Sequence, residues 1–406
     1  MPTTTAPSTS CATPAGGFLA ALEGAPALGF IGPNWFASVM GTGIVAVALE
    51  TLPFPLPFRD ELAGLAWLLA VALLVMVSAA TLGHHWRHPQ VARGHLDNPM
   101  LAHFYGAPAM ALLTVGAGAL LVGQRLIGTA PALALDAVLW SAGTALGLVT
   151  SVLVPYRTFT SHEPVDDAAF GGWLMPVVPP MVSAATGALL VPYLPTTEAR
   201  QTMLLACYAM AGLALMASFV MITLIWGRLS RHGIGAAAAV PTLWIVLGPL
   251  GQSVTAAHHL GVLAPGVMPA PFGEAFHALA LLYGVGVFGF ALLWLAIATM
   301  VTVRTARAER GLPFSLTWWS FTFPVGTMVT GASGLAEVTG LAALKVIAGL
   351  LFVLLVVAWA TVLVRTVRGV YAGHLLVAPS APASAGARAA SPVSHRTPRA
   401  IAMPVE

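Results

Sequence analysis

Two groups of side chains in this sequence are suited to chemistry inside an apolar medium. The first consists of hydroxyl and amide groups within long charge-free stretches: Ser38, Thr42, Thr114, Ser183, Thr186, Gln252, Ser253, Thr327 and Thr330. Such groups donate hydrogen bonds without carrying charge, so they can replace part of an anion's hydration shell while leaving it free to depart. For any one of them, a hydroxyl bonding back to a helix carbonyl or across a helix contact is the better explanation, and a lining role is read from the set as a whole. The second group is ionisable. Glu50, Glu337 and the pair His258-His259 stand near the ends of apolar stretches. Ionisable groups at membrane depth are functional candidates, and Glu50, His258 and Glu337 are candidates for moving a proton together with an anion. Contact with water or headgroups is the competing reading, and Glu337 is also placed to pair with Lys345 across a short turn.

Other chemistry is excluded by what is missing. The sequence has no G-x-x-x-x-G-K-[ST] phosphate loop, no dinucleotide fingerprint, no nucleophile triad and no paired catalytic carboxylates. It reads as neither an enzyme nor an ATP-driven pump, and no cofactor is expected. The run His84-His85-Trp86-Arg87-His88 has metal-like histidine spacing. It lacks a nearby Cys or carboxylate and ends in a basic loop, so interfacial anchoring by Trp86 is the better reading. No arginine fork lies deep in a charge-free stretch, which argues for weak anion contacts rather than a tight carboxylate site.

The elements that must position these groups follow from composition. Of 406 residues, 58% are hydrophobic and 8% charged, too few charges for an ordinary solvated surface. Stretches without Asp, Glu, Lys or Arg cover 24–49, 62–86, 98–124, 137–156, 168–197, 201–227, 232–273, 275–303, 311–336 and 346–364. Each is long enough to cross a bilayer as a helix, for which about 20 apolar residues suffice. Ten spans are therefore expected. Arginines cluster after even spans (Arg87, Arg93, Arg157, Arg228, Arg231, Arg304, Arg307, Arg310, Arg365, Arg368), against Arg59, Arg125 and Arg200 on the other side. The positive-inside rule then puts both termini in the cytoplasm, in an inner or plasma membrane. The net charge of +3 comes from these loops and does not describe a nucleic-acid patch.

Pro33, Pro108, Pro176, Pro249 and Pro324 recur at intervals of 75, 68, 73 and 75 residues. That period is two spans plus loops, so it predicts five helical-hairpin repeats pointing the same way, related by rotation about the membrane normal. The repeat prolines, Pro179 and the glycine clusters all fall in odd spans. A proline-broken helix exposes backbone that lipid cannot satisfy, so the predicted all-α fold has kinked odd helices in an inner, quasi-five-fold ring lining a central pore. A solid bundle with packing kinks is the alternative. Residues 1–26 and 373–406, rich in Ala, Pro and Ser or Thr, are expected to be disordered cytoplasmic ends flanking a domain at 27–372. No cleavable signal peptide is read at the start, and Cys11 and Cys207 are not expected to pair.

Specific motifs point to a family. Gly32-Pro33-Asn34-Trp35-Phe36-Ala37-Ser38-Val39-Met40-Gly41-Thr42-Gly43 resembles the opening motif of the tellurite-resistance/dicarboxylate transporter family. Trp318-Trp319-Ser320-Phe321-Thr322-Phe323-Pro324 resembles its ninth-span motif, and Trp244 to Ser253 is similar to its seventh. That family includes bacterial tellurite-resistance channels, fungal malate and sulfite transporters and plant slow anion channels. The resemblance implies five hairpins around a pore, assembly as a homotrimer, and a pore-plugging phenylalanine at Phe323. From the residues alone, a core aromatic packed between helices is the commoner reading of Phe323, and the resemblance is what turns it to the gate. Pro33, Phe36, Thr42, Pro108, Pro176, Pro179, Pro249, Gln252, Ser253, Pro324 and Thr327 are the expected kink and lining residues. The expected function is passage of a small anion (a C4-dicarboxylate such as malate, sulfite, halide or nitrate) through a lipid-embedded pore. A proton-coupled carrier is the runner-up, and an intramembrane enzyme stands behind both.

Overall fold

The computed structural model describes residues 18–24, 26–161, 167–309 and 311–377, which are helical with no strand among them. Arg310, Asp166, Cys11, most of the expected N-terminal tail and residues 378–406 lie outside the described residues. Within the expected tail, residues 18–24 are ordered: the Leu19 amide donates to the Tyr371 carbonyl and the Ala21 amide to that of Ala372.

The main helices are α1 (Phe36–Thr51), α2 (Arg59–Arg87), α3 (Ala102–Ile127), α4 (Thr129–Ser161), α5 (Pro179–Gly187), α6 (Thr197–His232), α7 (Leu247–Val267), α8 (Phe272–Ala306), α9 (Phe323–Thr339) and α10 (Ala342–Tyr371). Among the described residues, seven helical stretches are long and apolar enough to cross a membrane: α2, α3, α4, α6, α8, α10 and Ala237–Val267, which contains α7. The protein is thus a multi-pass helical membrane protein. The remaining odd helices are shorter because a 3-10 turn precedes each one: Pro33–Trp35 before α1, Gly171–Leu174 before α5 and Leu316–Phe321 before α9.

That compound build changes what the prolines do. Pro179 and Pro324 occupy the first turn of α5 and α9, and Pro249 is the third residue of α7. Inside α3, Pro108 is the third residue of the α-helical segment Gly106–Gly118, which follows the 3-10 turn Ala102–Tyr105. At a helix start the missing proline N–H would be unpaired anyway, and the fixed φ suits the helix. Pro108, Pro249 and Pro324 therefore mark the joint where tight turn passes into α-helix, Pro33 opens the 3-10 turn before α1, and Pro176 lies in the turn between Gly171–Leu174 and α5, so none of the five is a kink in mid-helix.

Consecutive helices pack in pairs, α1 on α2, α3 on α4, α5 on α6, α7 on α8 and α9 on α10. The odd helices also pack in a closed cycle, α1–α3–α5–α7–α9 and back to α1. They are buried over most of their length, whereas every even helix exposes large apolar side chains, for example Leu82, Val152, Met216, Leu282 and Leu350. Surface of that kind calls for lipid rather than water. Tryptophans fasten the layers: Trp67 Nε1 of α2 donates to the Val115 carbonyl of α3, Trp140 Nε1 of α4 to that of Ser183 in α5, and Trp359 Nε1 of α10 to Thr42 Oγ1 of α1. The close cycle needs glycine. A Cβ on Gly251 would stand 2.6 Å from the Thr327 carbonyl carbon, and one on Gly171 1.8 Å from the Thr242 oxygen.

Candidate functional site

Two small cavities lie within the cycle of odd helices. One is lined by residues near the starts of those helices, among them Ala37, Met40, Met110, Met175, Ile245 and Pro249. The other is lined further along, by Ile44, Thr114, Val182, Thr186, Gln252, Thr255, His259 and Thr330 among others. Phe323 is the one residue in the wall of both. It is 2% exposed, and its ring stands between the two voids.

The local sequence fixes that ring. Ser315 caps the 3-10 turn Leu316–Phe321, Thr322 Oγ1 donates to the Trp319 carbonyl at 2.7 Å, and Phe323 then opens α9 with Pro324 behind it. Trp319 Nε1 holds Thr366 Oγ1 of α10 at 3.1 Å, and the Arg365 guanidinium sits 4.7 Å over the Trp318 ring. Gly41 lets α1 lie directly against Trp319 and Thr322, where a Cβ would have no room.

The two cavities differ in chemistry. The first is lined chiefly by methionine, aliphatic and aromatic groups, with Ser320 as its hydroxyl, and has a volume of about 20 Å³. The second has about 30 Å³ and carries four threonines, an amide and an imidazole. A single water needs roughly 10–15 Å³, so each void has room for one or two waters and neither for a hydrated anion. The threonine protons are committed to neighbours: Thr114 Oγ1 to the Met110 carbonyl, Thr186 Oγ1 to that of Val182, Thr330 Oγ1 to that of Thr327, and Thr255 Oγ1 shared with Gly251 O and Thr330 Oγ1. The groups left to meet a guest are the Gln252 amide, whose Oε1 accepts no hydrogen bond among the described residues, and the second nitrogen of the His259 ring, whose Nδ1 is taken by the Ala185 carbonyl at 3.0 Å.

The structure distributes the sequence candidates unevenly. Phe323, Pro249, Pro324 and Gln252 line the cavities, as do Thr114, Thr186 and Thr330. Thr42 accepts from Trp359, and Thr327 Oγ1 lies against the Leu247 and Pro324 carbonyls between α7 and α9. Ser183 bonds Thr144 of α4, and Ser253 faces a separate lateral cleft of about 230 Å³ bounded by Met181, Tyr208, Leu260 and Tyr283. Pro33, Phe36, Pro176 and Pro179 are buried at the helix starts, Pro179 against Gly147 of α4, and Pro108 is half-buried. Glu50 is paired with Arg125, which also holds Asp60 at 3.0 Å. Glu337 reaches His258 Nε2 at 3.2 Å, rather than Lys345. Among the described residues, no group of three or more His, Cys, Asp or Glu could hold a metal ion.

Thr255 and the methionines are not candidates in the sequence, and His259 enters there only as half of the His258-His259 pair, in which His258 is the residue named for proton transfer. The signal that finds them is register: 252, 255 and 259 share one face of an α-helix, as do 37, 40, 44 and 47 on α1 and 110, 114, 117 and 121 on α3.

Comparison with known proteins is consistent with this arrangement. A sulfite efflux pump of Trichophyton rubrum is 28% identical over 313 residues, covering 75% of this chain and 81% of the pump. An uncharacterized transporter of Methanocaldococcus jannaschii is 26% identical over 345 residues, covering 84% of this chain and 95% of the relative. A putative malic acid transport protein of Schizosaccharomyces pombe is 20% identical over 353 residues, with 84% and 80% covered. Residues 31–367 match the profile of the voltage-dependent anion channels, so the compound odd helices, the Phe323 joint and the cavities all fall within that match, and the chain belongs to the SLAC1 voltage-dependent anion channel family.

Proposed function

We propose that this protein passes small oxyanions, sulfite foremost, along the axis of the odd-helix cycle, with the Phe323 ring as the gate. The carrying observation is that Phe323 is shared by the walls of both cavities, while all five odd helices contribute to the second and the turn before α5 stands in for that helix in the first. An apolar ring in a passage too small for hydration blocks an ion by excluding its water. The structure is thus read as the closed state. Sulfite is put first because several relatives of 25–28% identity are sulfite efflux pumps, and malate second on the strength of a more distant one.

In this reading the ten helical stretches are ten spans forming five parallel hairpins, which the closed packing cycle and the buried odd helices support. Arg87, Arg157, Arg228, Arg304 and Arg365 gather toward one end of the bundle and would face the cytoplasm with both termini. Homotrimeric assembly, implied by the family resemblance, is checked by native mass spectrometry. Purified protein reconstituted in liposomes tests the function: sulfite, malate, nitrate and chloride fluxes are compared, with and without a pH gradient. Uptake of at least one of these anions above that of empty liposomes is expected. Flux that saturates and follows the pH gradient would assign a carrier, and flux linear in concentration a channel.

A further inference from the structure

We infer that the cavity beyond Phe323 is a proton-linked anion site, with His259 as the donor that decides when an anion is held. This rests on the reading of the axis as an anion path and goes beyond it by naming what the path binds. The carbonyl of Ala185 can only accept a hydrogen bond, so the His259 Nδ1 at 3.0 Å from it carries the proton. The second nitrogen, Nε2, makes no hydrogen bond among the described residues, and the ring is part of the cavity wall. In the neutral ring that nitrogen is a lone pair, which repels an anion. One proton turns it into a charged N–H donor. Since the cavity threonines spend their hydroxyl protons on carbonyls, the switch at Nε2 dominates the donor capacity of this cavity. Gln252, two turns nearer Phe323 on the same face of α7, supplies a constant one.

The surroundings leave that switch to His259. The cavity wall contributed by α1, α3 and α5 carries no charged group. The titratable groups near the ring are His258, next on α7 with ring centroids 5.6 Å away, Glu337 of α9, which is held by His258 Nε2, and His277 of α8, whose Nδ1 lies against the Gly261 carbonyl.

This defines a ligand class. An anion without an acidic proton, such as nitrate or chloride, needs a proton from solution on Nε2 before it is held. A monoanionic oxyacid, such as hydrogensulfite or a hydrogen-dicarboxylate, donates its own O–H to the neutral Nε2, so the site holds one anion and one proton either way. Acid oxyanions are therefore favoured near neutral pH.

Fluxes of nitrate and sulfite between pH 5.5 and 8 test this in liposomes, using Phe323→Ala to remove the gate and combining it with His259→Asn or His259→Gln. Asn retains an N–H for the Ala185 carbonyl, and Gln places a neutral amide where Nε2 was, so one variant covers a folding failure of the other. With Phe323→Ala alone, nitrate flux should fall by up to about tenfold per pH unit above the imidazole pKa, and sulfite flux by less. In the double variants the nitrate slope should vanish. A nitrate slope that survives in the double variants, or is absent from Phe323→Ala itself, overturns the assignment of His259 while leaving the anion path standing. Passage of neither anion through Phe323→Ala would overturn the path as well.

Discussion

Replacing Phe323 by Ala should open the axis, and the expected size of the effect follows from the cavities on either side. They measure about 20 and 30 Å³, and removing the ring frees on the order of 100 Å³ more. The voids already have room for one or two waters each, and the space left by the ring, at roughly 30 Å³ of liquid volume per water, adds about three, enough for a continuous thread from the methionine-lined void to Gln252. Placing a bare ion in a medium of low dielectric costs on the order of 20 kcal/mol in the idealised limit. Each water restored to the gap relieves part of that penalty. A tenfold rise in flux needs only about 1.4 kcal/mol, so tenfold is a lower bound. The fold should tolerate the change, because the voids already flank the ring and fill with water instead of leaving a dry hole. The loss should sit at or below the low end of the roughly 3–5 kcal/mol typical of Phe→Ala in a tight core. The assay is anion efflux from liposomes at matched protein incorporation, with Phe323→Leu as an intermediate volume. Flux rising in the order Phe, Leu, Ala is the expected series. If Phe323→Ala reconstitutes as well as the parent and conducts no better, the ring is a packing residue and the closed-gate argument is wrong.

Gly251→Ala should lower the melting temperature in detergent, since its Cβ would meet the Thr327 carbonyl carbon and the Met328 amide nitrogen. Overpacking of this kind costs about 1–3 kcal/mol, whereas Gly212→Ala, with nothing within 4 Å, should leave the melting temperature unchanged or slightly raised. Glu50→Gln removes a carboxylate from a half-exposed cluster with Arg125 and Asp60, worth at most about 1 kcal/mol. The pH dependence of anion flux should survive it, and loss of that dependence would move the proton route to Glu50. In the loop after α2, burial and then the charges of His84 and His85 push the His95 imidazole from its ordinary 6.5 down to about 4. The fold holds the neutral form, so its stabilising contribution is complete above about pH 6.5 and is lost as pH falls toward 4, about 3 kcal/mol at the limit. Hydrogen exchange in residues 88–101 should accelerate on acidification beyond its intrinsic pH trend and cease to do so in His95→Phe. An unchanged trend in that variant would rule His95 out.

The concentration of prolines in the odd helices, with Pro131 and Pro155 of α4 as exceptions, is legible in the sequence because it reflects a bulk property: which helices can face lipid without leaving backbone unsatisfied. Burial of the odd helices follows the same logic. Facing is less legible when residues are chosen by type. Thr42, Ser253 and Thr327 have the chemistry of a lining residue, yet their positions on the helix turn them toward Trp359, the lateral cleft and the Leu247 carbonyl. Helical register separates them from Gln252, Thr255 and His259, and it becomes readable once one lining residue per helix is known. The prolines read as kinks because sequence marks a break without saying which side of it remains helical. The 3-10 turn ahead of each α-segment is a tertiary outcome, set by close approaches such as that of Gly171 to Thr242. Phe323 itself emerges only through the family motif, since nothing local distinguishes a plug from any buried phenylalanine.

The closed packing cycle has a consequence for biogenesis. The first helix completes its contacts only with α9 and α10, and the Thr42–Trp359 bond joins positions 317 residues apart. A ribosome delivers the hairpins in order, so through most of synthesis α1 waits with one flank, rich in small residues and broken backbone, turned toward lipid or toward the insertion machinery. The nascent molecule is an open wedge that the last hairpin shuts. Deleting α10 should therefore strand the first hairpin as well as the last, and the cell's membrane quality control should clear such truncated chains faster than their small loss of length suggests. Because residues 18–24 dock beside the end of α10, the first and last described segments meet at this seam, and a circular permutant opened at another loop should move the last-formed joint without changing the packing cycle.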